Sequence, residues 1–249
     1  MSKKSRKSHH ASYSNKENII HRSFTSDNWH PLDDEIDGRR DKKYIKTIKP
    51  RSEGQEVFMQ ALKDFNLTLA IGPAGTGKTY LAIAAAVEAL EKGEIERIIL
   101  SRPAMEAGES LGFLPGDLQE KMAPYLRPLY DCLGDRMGGK KVRQYLEDGT
   151  IEIAPIGFMR GRTLNNAFVV IDEAQNCTYG QLKMILSRLG WNSTMVVTGD
   201  PDQSDLLEGI SGLADISRRL ENVKNVAICR LSQGDIVRHP LVAEMLNVL

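Results

Sequence analysis

Leu67-Thr68-Leu69-Ala70-Ile71-Gly72-Pro73-Ala74-Gly75-Thr76-Gly77-Lys78-Thr79-Tyr80-Leu81-Ala82 decides the fold. Its first five residues form a short apolar run that reads as a buried strand, and Tyr80 to Leu90 are rich in good helix formers. Between them, Gly72 to Thr79 fits the pattern G-x-x-x-x-G-K-[ST] at every fixed position. A strand, a glycine loop and a helix in that order predict a phosphate-binding loop. The glycines clear side chains away so that backbone N–H groups can wrap an anion. The helix N-terminus adds donors and partial positive charge. The pattern assigns Gly72, Pro73, Ala74, Gly75, Thr76, Gly77, Lys78 and Thr79 to nucleotide binding. Lys78 is expected to reach the β- and γ-phosphates, and Thr79 to offer its hydroxyl to Mg2+.

Two more strands run into polar groups downstream. Phe168-Val169-Val170-Ile171 ends in Asp172-Glu173-Ala174-Gln175, the expected Walker B strand. Asp172 is the second predicted ligand for Mg2+, and Glu173 the group that takes a proton from the attacking water. A nucleotide switch needs only the metal ligand, whereas a hydrolase gains from a base beside it. Met195-Val196-Val197-Thr198 then enters Gly199-Asp200-Pro201-Asp202-Gln203, with Gly199 and Pro201 as turn formers. In this position the segment resembles the sensor motif of superfamily 1 helicases, and by that resemblance Gln203 reports the γ-phosphate. Gln55 lies ahead of the first strand. It resembles the adenine-reading glutamine of the same enzymes, and reads equally as a solvated glutamine at a helix start.

Periodicity places a helix around 53–65, the loop helix to about Lys92, and a strand at 97–101. Helices are expected at 117–134 and 140–148, and a short strand at 150–153. Further helices are expected at 179–189, 211–220 and from Pro240, with a strand near 226–230. Strands alternating with helices predict an α/β fold: a parallel sheet of five or six strands with helices on both faces. Right-handed crossovers put every strand's C-terminal end on one edge, so the motifs converge where ligands bind such sheets. The segment 102–116 is too long for an ordinary connection and is expected to be a functional loop.

Over its 249 residues the chain carries 33 basic and 33 acidic side chains, but unevenly. Residues 1–50 hold 12 Lys and Arg against 7 Asp and Glu, a net +5, leaving 21 against 26, a net −5, for the rest. We expect a basic, disordered tail and linker over 1–48 and one domain over 49–249. The tail reads either as an arm for nucleic acid or partners, or as a solubilising extension. Cys132, Cys177 and Cys229 are widely spaced, as in a reduced, cytoplasmic chain. No 18-residue apolar run and no signal-peptide core are present, so neither a membrane span nor secretion is expected.

Laid in order, these segments resemble the PhoH family over roughly 50–249. The resemblance is carried by Gly72–Thr79, Ser101-Arg102-Pro103-Ala104, Leu111 to Lys121, Tyr125 to Asp131, Met159 to Leu164, Ile171 to Asn176 and Asp235 to Val242. It implies a cytoplasmic ATPase with ATP and Mg2+ as cofactors. The implied fold is a P-loop NTPase with a single RecA-like, helicase-like core, linked by the family name to phosphate starvation. Short members of the family also occur in bacteriophages.

The expected activity is ATP hydrolysis coupled to RNA or single-stranded nucleic acid, with Lys78, Glu173 and Gln203 as catalytic groups. Arg102, Lys121, Arg127, Arg160 and Arg162 offer cations to a strand, and Phe113, Tyr125, Tyr130 and Phe158 offer stacking faces. Superfamily 1 helicases draw an arginine from a second core domain. Here it is expected from a neighbouring copy in a homo-oligomeric ring, six-membered by family resemblance. Arg238 is the first candidate for that finger, ahead of Arg160 and Arg162. Each has another reading: Arg238 as partner of a core carboxylate, and 160–162 as a phosphate-backbone contact. The alternative function is an ATP-dependent switch or assembly protein acting on protein partners, and a small-molecule kinase is the third.

Overall fold

The computed structural model describes residues 48–103, 118–207, 209–237 and 245, with backbone alone for 118–124. In chain order the elements are α1 (Glu53–Asp64), β1 (Leu67–Ile71), α2 (Lys78–Glu91), β2 (Arg97–Ser101), α3 (Leu118–Met137), α4 (Gly139–Glu147) and β3 (Ile151–Ile153). There follow β4 (Ala167–Ile171), α5 (Tyr179–Leu186), β5 (Thr194–Gly199), α6 (Leu213–Leu220) and β6 (Val226–Arg230). The spans expected for β2 and β6 are the observed ones. Helix ends differ by up to three residues, because caps rather than periodicity set them. Ser52 starts α1 by accepting the Gln55 N–H on its hydroxyl. Thr178 and Gln181 start α5 with a reciprocal capping box.

The six strands form one sheet in the order β3-β2-β4-β5-β1-β6, and every neighbouring pair is parallel. The sequence predicts a parallel sheet but not this order, in which β5 lies between the loop strand β1 and the Walker B strand β4. Successive strand residues face opposite layers. Ala70, Ile98, Leu100, Val170 and Val196 pack under α1, α2 and α3 with Phe58, Ile83 and Leu129. Leu69, Ile99, Val169, Ile171 and Val197 pack on the other side with Leu182 and Ile185 of α5 and Ile216 of α6. Helix α2 contacts both the sheet and α3, which explains why it buries Leu81, Ile83 and Val87 together with four of its alanines. Each such large aliphatic, fully buried, contributes about 1.5–3 kcal/mol. The phosphate-binding loop therefore stands on two of the most deeply buried elements, β1 and α2.

The tail over 1–48, all but its last residue, lies outside the described residues. So do the loop from Ala104, Phe113, the side chain of Lys121, Arg238 and the helix expected from Pro240, except Met245. Among the described residues no helix is long and apolar enough to cross a membrane.

Candidate functional site

At the end of β1 the chain turns through Gly72, whose φ of 150° and whose closeness to the Leu231 carbonyl leave no room for a Cβ. Its N–H donates to the Gly199 carbonyl (3.2 Å), fastening the loop to the neighbouring strand. Lys78 and Thr79 open α2, so their N–H groups have no carbonyl four residues back within the helix to bond. The Lys78 ammonium is folded back on the loop, donating to the carbonyls of Gly72 (2.6 Å) and Pro73 (2.8 Å). Burial pushes it down from the ordinary lysine range, opposed by the negative charges of Asp200, Glu173 and Asp172. Thr76 is buried and donates its hydroxyl to Pro73 (2.9 Å), which holds the loop's shape from inside.

Gln55 is also buried, and both ends of its carboxamide are engaged. Its Nε2 donates to the Thr76 carbonyl (2.9 Å), and its Oε1 accepts the Arg51 N–H (2.9 Å). The structure thus places Gln55 under the loop, as a brace between α1 and the phosphate-binding turn.

Asp172 follows β4 directly and is 3 % exposed. Its Oδ1 accepts two hydroxyls, from Thr79 (2.5 Å) and from Thr198 (2.7 Å). Sequence reasoning passed over Thr198. The signal was a hydroxyl at the end of an apolar strand, but only the β4–β5 register, with Ile171 opposite Val197, brings it to Asp172. Glu173 stands in the left-handed region (φ 54°, ψ 41°), a conformation that costs a non-glycine residue free energy and is held here by its surroundings. Its carboxylate is held on both sides. Arg102 Nη2 donates to Oε1 (3.1 Å), and Gln175 Nε2 donates to Oε2 (2.6 Å). Gln175 also accepts the Asp200 N–H on its own Oε1 (3.1 Å), so one buried amide joins the turn after β4 to the turn after β5. The Ser204 hydroxyl donates to the Gln175 carbonyl (3.1 Å), and Asn176 and Asp205 exchange two hydrogen bonds of 2.9 Å each. Gln203 lies on this turn with its N–H on the Asp200 carbonyl (3.0 Å) and is itself exposed.

Lys78, Thr79, Asp172 and Glu173 therefore meet at the C-terminal edge of β1 and β4, with Gln203 on the adjoining turn after β5. The arginines divide. Arg162 grips Glu152 of β3 through both oxygens (2.5 and 2.7 Å), a fork that holds the glutamate below the usual carboxylate range. Arg160 is exposed. Arg102 sits at the C-terminal edge of the sheet, on Glu173. Tyr125 and Phe158 are exposed, and Tyr130 is half-buried. Cys132 and Cys177 are pushed up to about 12 and Cys229 to about 11 by burial, which makes them poor nucleophiles. A cavity of about 710 Å3 opens at the opposite edge of the sheet, beside Met59, Leu62, Ala85, Arg136 and Asn166, and none of the residues assigned above lines it.

The donor set suits a small, hard cation. Thr79 and Asp172 offer oxygens only, and two protein oxygens completed by phosphate and water are how Mg2+ is commonly held. The Thr79 hydroxyl spends its proton on Asp172 and keeps its lone pairs for a metal.

The family model described as PhoH-like protein matches residues 47–249. A PhoH-like protein of Bacillus subtilis (strain 168) is 54 % identical over 203 residues, which cover 81 % of this chain and 64 % of that protein. Protein PhoH of Escherichia coli (strain K12) is 46 % identical over 211 residues, covering 84 % and 60 %. The chain thus spans about three-fifths of the length of these relatives. Among solved structures, the large terminase from a thermophilic bacteriophage aligns with a TM-score of 0.48 at 12 % identity, over 80 % of this chain and 50 % of that one. The SWI2/SNF2 ATPase core of Sulfolobus solfataricus aligns with a TM-score of 0.44 at 17 % identity, over 83 % and 53 %.

Proposed function

Since the chain belongs to the PhoH-like protein family, we propose that it binds ATP with Mg2+ and hydrolyses it, coupled to RNA or another single-stranded nucleic acid. One observation carries the reading. Thr79 and Asp172, 93 residues apart, are joined by a hydrogen bond beside the phosphate-binding loop, with Glu173 next in the chain. A chance match to the loop pattern gives no reason for that meeting.

In this reading the loop N–H groups and the start of α2 hold the phosphates. Lys78 exchanges the carbonyls of Gly72 and Pro73 for phosphate oxygens, a trade its desolvated ammonium favours. Asp172 and Thr79 hold the metal, and Thr198 keeps the Asp172 carboxylate in place. When bound, Mg2+ neutralises charge that builds on the transferred phosphoryl group. Glu173 accepts the proton of the attacking water, and Gln203 senses the γ-phosphate. Turnover measured with and without RNA, single-stranded DNA and duplex, beside Lys78→Ala and Glu173→Gln controls, tests this. Turnover that is absent, or that survives both substitutions, rejects it.

In this reading the transition state also draws on a guanidinium, which helicases of superfamily 1 take from a second core domain; here Arg162 is held by Glu152 and Arg102 by Glu173. We assign that role to Arg238, supplied within a homo-oligomeric ring. Val237, the residue before it, donates its N–H to the Gly75 carbonyl (2.9 Å), so the chain reaches the loop just ahead of Arg238. Mixing Arg238→Ala with Lys78→Ala subunits decides how it is supplied. Recovered turnover means that the arginine serves a neighbour, and no recovery means that it serves its own loop. The net −5 of residues 51–249 favours a second reading, a switch acting on protein partners, in which turnover ignores nucleic acid.

A further inference from the structure

Arg102 is the first residue after β2, and β2 pairs with β4 so that Ser101 lies opposite Ile171. The Asp172 N–H donates to the Ser101 carbonyl (2.8 Å), which fixes the two strand ends side by side. From there the Arg102 guanidinium makes two contacts: Nη2 to Glu173 Oε1 at 3.1 Å, and Nη1 to the Tyr125 carbonyl of α3 at 3.0 Å. With Gln175 on Oε2, both oxygens of the group that must face a water are occupied by donors. A carboxylate held this way has its orientation set by these two neighbours.

The two contacts differ in how easily they are lost. Gln175 is buried and braced by the Asp200 N–H. Arg102 meets Glu173 through a single nitrogen, with the two side chains 23 % and 36 % exposed. Arg162, by contrast, holds Glu152 through a two-pronged fork. Arg102 is therefore the exchangeable partner, and a guanidinium released from a carboxylate is suited to a phosphate. Its surroundings point to which phosphate. Tyr125, whose carbonyl it holds, is exposed. An exposed aromatic residue beside a releasable arginine is a pairing that single strands use, a base stacking on the ring while the backbone meets the cation.

We propose that Arg102 is a positioning residue that holds Glu173 away from the attacking water until a backbone phosphate of a single-stranded nucleic acid draws the guanidinium off. This deepens the proposed ATPase and rests on it. It makes nucleic acid an activator through one named contact, and binding linkage makes the contact reciprocal: whatever frees Arg102 from Glu173 must favour the strand.

The test is a double-mutant cycle on binding of a 20-nucleotide oligouridylate at low salt without nucleotide, so that it does not depend on turnover. Glu173→Gln should tighten binding of this RNA about five-fold, the worth of one partly exposed ion pair. In an Arg102→Ala background the same substitution should change it less than two-fold. Equal tightening in both backgrounds would show a general charge effect and overturn the proposal, as would no tightening at all. Turnover provides the second readout. Arg102→Ala should raise kcat without RNA while leaving KM for ATP within two-fold, and RNA should no longer stimulate; Arg102→Lys should restore part of the stimulation. A fall in kcat with full RNA stimulation retained would show that Arg102 serves the reaction itself, and would overturn the proposal. A wild type that hydrolyses ATP and binds the oligouridylate without the predicted cycle sinks this inference alone. One that does neither sinks the functional reading with it.

Discussion

Replacing Thr198 by valine exchanges one hydroxyl for a methyl at nearly constant volume. Thr198 is fully buried on β5, and its hydroxyl donates to Asp172 Oδ1 at 2.7 Å. Asp172 is 3 % exposed, so water cannot replace the lost donor. A hydrogen bond to a charged group contributes about 1.5–3 kcal/mol. For a domain of this size each kcal/mol moves the melting temperature by about 2–4 °C, so a loss near ~2 kcal/mol predicts a fall of ~4–8 °C. Among the described residues the carboxylate would then keep Thr79 as its one side-chain anchor (2.5 Å). Nucleotide affinity should drop about five- to thirty-fold with Mg2+ present, the factor that 1–2 kcal/mol represents, and stay unchanged in EDTA. Thr198→Ser keeps the donor and should keep the Mg2+ dependence, losing only packing. Thermal melts followed by circular dichroism, together with fluorescent-nucleotide titrations with and without Mg2+, measure both effects. A valine variant that melts with the wild type and binds Mg2+-nucleotide equally well would refute the assignment of Thr198 as the anchor of Asp172.

Three further outcomes follow from neighbouring contacts. Asp235 is held below the usual carboxylate range first by the Ser232 N–H, with help from the Ser52 and Ser232 hydroxyls and the Gly54 N–H against the cost of burial. Because its folded value is depressed, its contribution is present above the unfolded value of about 3.9 and fades as the pH falls through the folded one, so the melting difference between wild type and Asp235→Asn should be full at neutral pH and close in acid; a pH-independent difference contradicts this. Arg162→Ala and Glu152→Ala should couple by about 1 kcal/mol in a double-mutant cycle of stability while turnover stays within two-fold, and a hundredfold fall in kcat at unchanged stability would make Arg162 the catalytic finger after all. Gln55→Ala removes the brace under Thr76 and should weaken ATP and GTP alike, by about five- to thirty-fold for 1–2 kcal/mol, whereas a selective loss of ATP would identify Gln55 as the adenine reader.

Much of this site is legible in the amino-acid sequence, for a physical reason. A strand, a turn and a helix are local, and the groups that hold phosphate must sit at the turn, so Gly72 to Thr79 announces itself in eight residues. Parallel pairing then forces the ends of β1, β2, β4 and β5 to one edge, which is why Asp172 and Glu173 could be placed with Lys78 from topology alone. What could not be read depends on register and strand order. Thr198 reaches Asp172 only because β5 lies beside β4. Arg162 finds Glu152 from the far side of the turn after β3, and Gln55 turns its amide under the loop although the sequence equally allowed it to face solvent. Arg102 was read as one of several cations near the edge, and its pairing with the Walker B glutamate required the distance itself. Periodicity reports which face of an element is buried, but it is silent on which polar partner lies across the gap.

The most direct measurement is calorimetric titration of a nonhydrolysable ATP analogue with Mg2+ into the full chain and into its Lys78→Ala variant. The account predicts one binding event per chain for the wild type and at least a tenfold weaker one for the variant. No heat from the wild type, or equal affinity in the two proteins, would contradict it.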